Sequence, residues 1–168
     1  MTYLSIAEIE YAAHRLARET MEWNEPIPDF SSRFPNILES CLMTPFQKFG
    51  GKFLYKGMTA RAATLFYLMI KNHPFKNGNK RIATTSLIVF LFINNYWLEV
   101  GQNFLYDLAL AVAQSEGKRM DEVKKLIIDK ITPHIISLKV GGKSRKHSGF
   151  LFHLGNLKHN FKELTGKK

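Results

Sequence analysis

Apolar residues recur at helical spacing along most of the chain. Ser5-Ile6-Ala7-Glu8 has the spacing of a capping box, and Ile6, Ile9, Ala13 and Leu16–Ala17 follow it at intervals of three and four. This predicts a first helix ending near Trp23, before Pro26 and Pro28. A shorter second helix is expected from Pro35 through Ile37, Leu38, Leu42 and Met43 to Pro45, since proline opens a helix and ends the one it follows. In Phe46–Tyr55, aromatics flank Gly50-Gly51, the pattern of a small β-hairpin or an extended loop. Helical periodicity returns from Thr59 to Asn72, breaks at His73-Pro74, and resumes near Lys80. Two further helices are expected at about Phe104–Ser115 and Met120–Ile131, before Pro133. The pattern predicts an all-α domain of five or six helices with one small β element.

The stretch Ile82–Leu98 carries no charge, yet Thr84, Thr85, Ser86, Asn94 and Asn95 interrupt it. A membrane span needs ~20 mostly apolar residues. The stretch reads instead as a helix buried on all sides. The aromatics Phe66, Tyr67, Phe90, Phe92, Tyr96 and Trp97 read as core or core edge. The opening residues lack the basic start and apolar run of a signal peptide. Cys41 is the one cysteine, so no disulfide forms within the chain, and a reducing, cytoplasmic setting is expected.

Composition adds one division. The 168 residues suit a single domain, with 45% hydrophobic and 23% charged residues. Residues 141–168 hold seven basic residues against Glu163, a net +6 that leaves +4 of the total +10 for residues 1–140. The reading is a folded domain at 1–140 and a basic tail at 141–168. A mildly basic body does not point to a nucleic-acid partner. Gly142-Lys143-Ser144 imitates the end of a phosphate-binding loop, but Ser137 stands where that motif needs glycine. His147, His153 and His159 lack zinc-site spacing, and His14 and His134 read as surface or capping residues.

The chemistry concentrates in His73-Pro74-Phe75-Lys76-Asn77-Gly78-Asn79-Lys80-Arg81, between two apolar helices. Gly78 permits backbone angles that let consecutive N–H groups converge on an anion, at the partly positive start of a helix. Lys80 and Arg81 in that first turn oppose the helix dipole unless an anion is present. Histidine is the side chain suited to accept a proton near neutral pH, which makes His73 a candidate base. Phe75 is expected to enter the core and pin the loop. On residues alone, a polar inter-helix turn with solvated cations fits equally well.

This segment resembles the signature of the Fic/Doc (Fido) family, His-x-Phe-x-(Asp/Glu)-Gly-Asn-(Gly/Lys)-Arg. Phe46–Tyr55 is similar to the family's flap. The resemblance extends over about Tyr3 to Pro133 in helix order, and over residues 45–96 in detail. It implies a Fido-type helical bundle with a β-hairpin flap. It implies His73 as general base toward a protein hydroxyl, with Gly78, Asn79, Lys80 and Arg81 cradling the phosphates of ATP. Most members transfer AMP. Lys80, where those members have glycine, and Thr84, where many have a second arginine, are similar to death-on-curing (Doc) type toxins. Those are thought to bind the nucleotide reversed and transfer its γ-phosphate, the best-known target being a translation elongation factor. The acidic residue that holds Mg²⁺ in the family is Asn77 here, and an amide oxygen holds magnesium less well than a carboxylate. AMP transfer to the protein hydroxyl is the alternative enzyme reading, and a catalytically weak binding module is the reading of a different class. The family's internal inhibitory pattern, Ser/Thr-x-x-x-Glu-Gly/Asn, is absent: Glu116-Gly117 lacks its Ser or Thr at Val112. An inhibitor would then be a separate antitoxin protein.

Overall fold

The computed structural model describes residues 1–20 and 26–138. The expected end of the first helix near Trp23 and the basic tail lie outside the described residues.

The first helix, α1, runs in three pieces: Ile6–Glu8, a π-helical Ile9–His14, and Arg15–Thr20. Its start is the expected capping box. Ser5 Oγ accepts from the Glu8 N–H at 3.2 Å, and the Ser5 N–H donates to Glu8 Oε2 at 2.6 Å. The π-helical widening was not legible in the apolar spacing. It lies against the buried Thr85, whose hydroxyl donates to the Ala13 carbonyl at 2.7 Å.

Helix α2 spans Pro35–Met43, with Pro35 in its first turn, and a 3-10 turn Thr44–Phe46 follows. Strands β1 (Lys48–Phe49) and β2 (Lys52–Phe53) form the expected hairpin, with Lys48 opposite Phe53 and Phe49 opposite Lys52. Gly50 and Gly51 take φ of 55° and 75°. Two successive positive φ values suit the twist of a two-residue hairpin and favour glycine at both places.

Helices α3 (Gly57–Lys71) and α4 (Asn79–Ile93) pack together at the centre of the fold. From Asn79 to Leu91 only Lys80 in α4 is not buried. Leu87, Leu91, Phe66, Met69, Phe90 and Ile82 are fully enclosed. The serine and threonines that mark α4 off from a membrane span are satisfied within the helix: Thr84 donates to the Lys80 carbonyl and Ser86 to that of Ile82. No helix among the described residues is long and apolar enough to cross a membrane.

Helices α5 (Gln102–Gln114) and α6 (Met120–Ile131) complete the bundle near their expected positions. Lys71 at the end of α3 donates to the Ala113 and Ser115 carbonyls at 3.2 and 2.5 Å, placing a cation at the negative end of α5. The structure adds a second strand pair to the expected one. Strand β3 (Tyr96–Leu98) pairs antiparallel with β4 (Ile135–Ser137), Trp97 opposite Ile136. Cys41 is buried, and burial pushes its thiol up to about 11, so it is unreactive.

Candidate functional site

The nine residues from His73 to Arg81 form the turn between α3 and α4, held from three sides. Phe75 is 1% exposed, so the expected pin is in place. Gly78 caps α4 in the left-handed region at φ 77°. A β-carbon there would lie 2.9 Å from Ile27 Cγ1. Glycine is thus demanded at 78 by backbone angle and by space.

Asn79 is 9% exposed, and its side chain acts on the loop itself. Its Oδ1 accepts the Phe75 N–H at 2.9 Å, and its Nδ2 donates to the Phe75 carbonyl at 2.8 Å. The backbone donor at 75 fixes the amide orientation, so the Nδ2 group is also what faces His73 Nδ1, at 3.5 Å. What Asn79 can offer an anion therefore comes from its backbone N–H at the start of α4 rather than from its side chain.

His73 is exposed and takes φ 48°, a left-handed conformation that is uncommon for a residue with a β-carbon. Strain of this kind persists only where the surroundings impose it. Here the buried Pro74 and Phe75 follow directly, and the Pro74 carbonyl accepts the Phe34 N–H at 2.8 Å. Lys80 is half-buried and Arg81 is 5% exposed, both in the first turn of α4. The structure thus brings His73, Asn77, Gly78, Asn79, Lys80 and Arg81 together around one helix N-terminus.

The magnesium site implied by the resemblance finds no matching donor set. Asn77 Oδ1 accepts the Gly78 N–H at 2.6 Å, which engages the one loop oxygen at the metal-holding position. No acidic residue occurs between Glu39 and Glu99. Among the described residues no group of three or more His, Cys, Asp or Glu side chains could hold a metal. An amide oxygen shared with a backbone donor does not make a divalent-cation site.

The absence of acids from residues 40–98 is a signal that net charge over 1–140 conceals. That span carries eight cations, Lys48, Lys52, Lys56, Arg61, Lys71, Lys76, Lys80 and Arg81, and includes both the hairpin and the motif. Counting charge by segment rather than by domain makes the polyanion reading legible.

The hairpin stands on α3. Buried Arg61 donates Nε to the Tyr55 carbonyl at 3.1 Å and lies over the Phe53 and Phe46 rings at 4.1 and 5.0 Å. Phe49 at the tip is 81% exposed.

His14 is not the surface or capping residue that its position suggested. It is buried, because the chain returning after Pro26 folds over it: its Nε2 meets the Pro28 carbonyl at 2.9 Å, and its ring lies against Phe30 and Phe75. His134 ends a 3-10 turn, as expected of a helix-end residue.

Comparison with known proteins gives one match. The model of the Fic/DOC family matches residues 3–91, just over half of the chain. No curated protein and no solved structure matches significantly. The matched span includes the first helix, the hairpin, α3, the whole motif loop and most of α4, and the helical fold with its small hairpin agrees with it. On that match the chain belongs to the Fic/DOC family, whose members are typically transferases that modify proteins by nucleotide transfer.

Proposed function

We propose that this protein transfers the γ-phosphoryl group of ATP to a hydroxyl group on a target protein, as Doc-type members do. The observation that carries the reading is Lys80 in the first turn of α4, two residues after the left-handed Gly78. A glycine at this position leaves room for phosphates to lie deep against the helix start. A half-buried lysine fills part of that room and brings a positive charge. The nucleotide then presents its terminal phosphate to His73.

In this scheme His73 takes the proton of the target hydroxyl as its oxygen attacks the γ-phosphorus. The bond to the bridging oxygen breaks, and ADP leaves with the electron pair. Lys80, Arg81 and the backbone N–H of Asn79 hold the phosphates, while the Gly78 N–H, which the sequence offered for the same role, is taken by Asn77 Oδ1. Cations placed beforehand stabilise the loose, anionic transition state of phosphoryl transfer. No step is assigned to magnesium, because Asn77 Oδ1 already accepts the Gly78 N–H. The same observation favours the second reading, a catalytically weak module that binds nucleotide or protein without turnover. An elongation factor as target and a separate antitoxin as inhibitor follow from the Doc-type resemblance.

Incubating the protein and cell lysate with ATP labelled at the γ- or the α-phosphate tests the reading. Phosphoryl transfer leaves only γ-label on the target and adds ~80 Da to it; AMP transfer leaves α-label and adds ~329 Da. Deposition of α-label replaces this scheme with AMP transfer. ATP binding with neither label transferred supports the binding module.

A further inference from the structure

We propose that His14 is a positioning residue for the motif loop: it joins the returning segment 27–34 to Phe75 and so fixes the turn that carries His73 and opens α4. The segment touches the loop at three places. Ile27 lies close against Gly78, the Phe30 ring sits 5.8 Å from that of Phe75, and the Phe34 N–H donates to the Pro74 carbonyl at 2.8 Å. His14 holds the segment and the loop at once. Its ring centroid lies 5.3 Å from Phe30, edge to face, and 5.8 Å from Phe75, closing a triangle of three rings.

The polar end of the imidazole selects its tautomer. A carbonyl oxygen only accepts, so the 2.9 Å contact from Nε2 to the Pro28 carbonyl requires the proton on Nε2. His14 thereby gives segment 27–34 a directional anchor that an apolar ring would not. Burial lowers its pKa, and Arg18 adds to the lowering, while the Pro28 bond, Glu10 and Asp29 oppose it. Arg33, the other charged group beside the cluster, stacks on Phe30 at 4.4 Å. The neutral form is the one that fits. His14 does not belong to the nine-residue motif and touches no reacting group; it acts through Phe75 and Pro28.

The effect of His14 on nucleotide binding rests on the function proposed above, but its effect on the loop does not. Hydrogen exchange followed by NMR measures the second directly. The informative amides are those of Phe75 and Gly78, with Phe66 and Met69 in α3 as a core reference. His14→Ala leaves the Pro28 carbonyl unpaired and opens the ring triangle. Exchange at Phe75 and Gly78 should rise about tenfold while the core reference changes little. His14→Gln, which restores an N–H at the reach of Nε2, should recover most of the protection. If His14→Ala does not fold, His14→Phe, which keeps the ring and removes the donor, carries the same comparison with His14→Gln. Unchanged exchange at Phe75 and Gly78, a rise shared equally by Phe66 and Met69, or no recovery with glutamine would each overturn the proposal. Calorimetry with ATP separates the two claims. Wild-type protein that binds no ATP removes the nucleotide reading and leaves the exchange result to decide on His14. Wild-type protein that binds ATP, with exchange unaltered in the variant, removes the positioning role alone.

Discussion

Ile27 Cγ1 stands 2.9 Å from where a β-carbon on residue 78 would lie, and φ there is 77°. Gly78→Ala meets both constraints at once. The left-handed backbone costs ~1–2 kcal/mol for a residue with a β-carbon, and the crowding against Ile27 adds ~1–3 kcal/mol. A thermal melt of the variant should show a clear loss of stability; a change within ±0.5 kcal/mol would mean the loop has room that the geometry denies. His73→Ala is the opposite case, because His73 is exposed and meets the loop through the 3.5 Å approach of Asn79 Nδ2. Fold and ATP affinity should persist while transfer drops by ~10²–10⁴-fold, the usual worth of a positioned base. Wild-type transfer rates from the variant would remove His73 from the chemistry. Asn77→Asp keeps an acceptor for the Gly78 N–H and adds the missing charge. Calorimetry with ATP over graded Mg²⁺ should then show tighter, metal-dependent binding and an unchanged apo melting temperature. Equal affinity of both proteins at every metal concentration would show that position 77 does not meet the metal.

Among the elements, the hairpin depends on one side chain of the helix beneath it. Arg61 joins β2 and the preceding 3-10 turn to α3 through two aromatic faces and the Tyr55 carbonyl. Arg61→Met keeps much of the packing volume and removes the cation and the donor. If the hairpin docks the target, as the family's flap does, protein modification should fall while ATP affinity holds. A parallel loss of both would make the hairpin part of the scaffold. The hairpin was legible in the sequence because a Gly-Gly pair between aromatic arms has few other uses, and the helices were legible because their apolar spacing extends over several turns. Strand β4 was not. Three residues, Ile135–Ser137, are too few to show a period, and their partner Tyr96–Leu98 lies some forty positions upstream. The π-helical stretch of α1 was hidden for another reason: its Ala13 carbonyl accepts from the Thr85 hydroxyl, a partner seventy-two residues away. The same limit applies to the site. The motif residues were readable together because they are contiguous. The burial of His14 and the approach of Ile27 to Gly78 were not, because they arise only when residues 26–34 return over α1.

For the molecule as a whole, charge and burial together set how stability responds to acid. Residues 40–98 carry +8 within a body whose net charge is +4, so the cations concentrate where a polyanion is proposed to bind. Two groups outside that span, Asp121 and His14, have titrations displaced between acid and neutral pH, and they act in separate pH windows. Lys124 donates to Asp121 and holds its carboxyl below the usual value, so that contribution to stability is present above pH ~4 and is lost only as pH falls through the depressed value. Asp121 is exposed, which keeps its contribution small. His14 acts nearer neutrality. Its pKa in the fold lies below the ordinary ~6.5 because burial disfavours the imidazolium. Above that ordinary value the ring is neutral in both folded and unfolded chains, and the fold has its full stability. As pH falls below ~6.5 the unfolded chain gains a proton that the folded one resists, and stability declines until His14 itself protonates. The melting temperature should therefore fall between pH 7 and pH 5 in the wild-type protein. His14→Gln removes the titrating group and keeps an N–H for the Pro28 carbonyl, so its melting temperature should fall less over the same range. Identical slopes for the two proteins would mean that the fold does not hold His14 neutral.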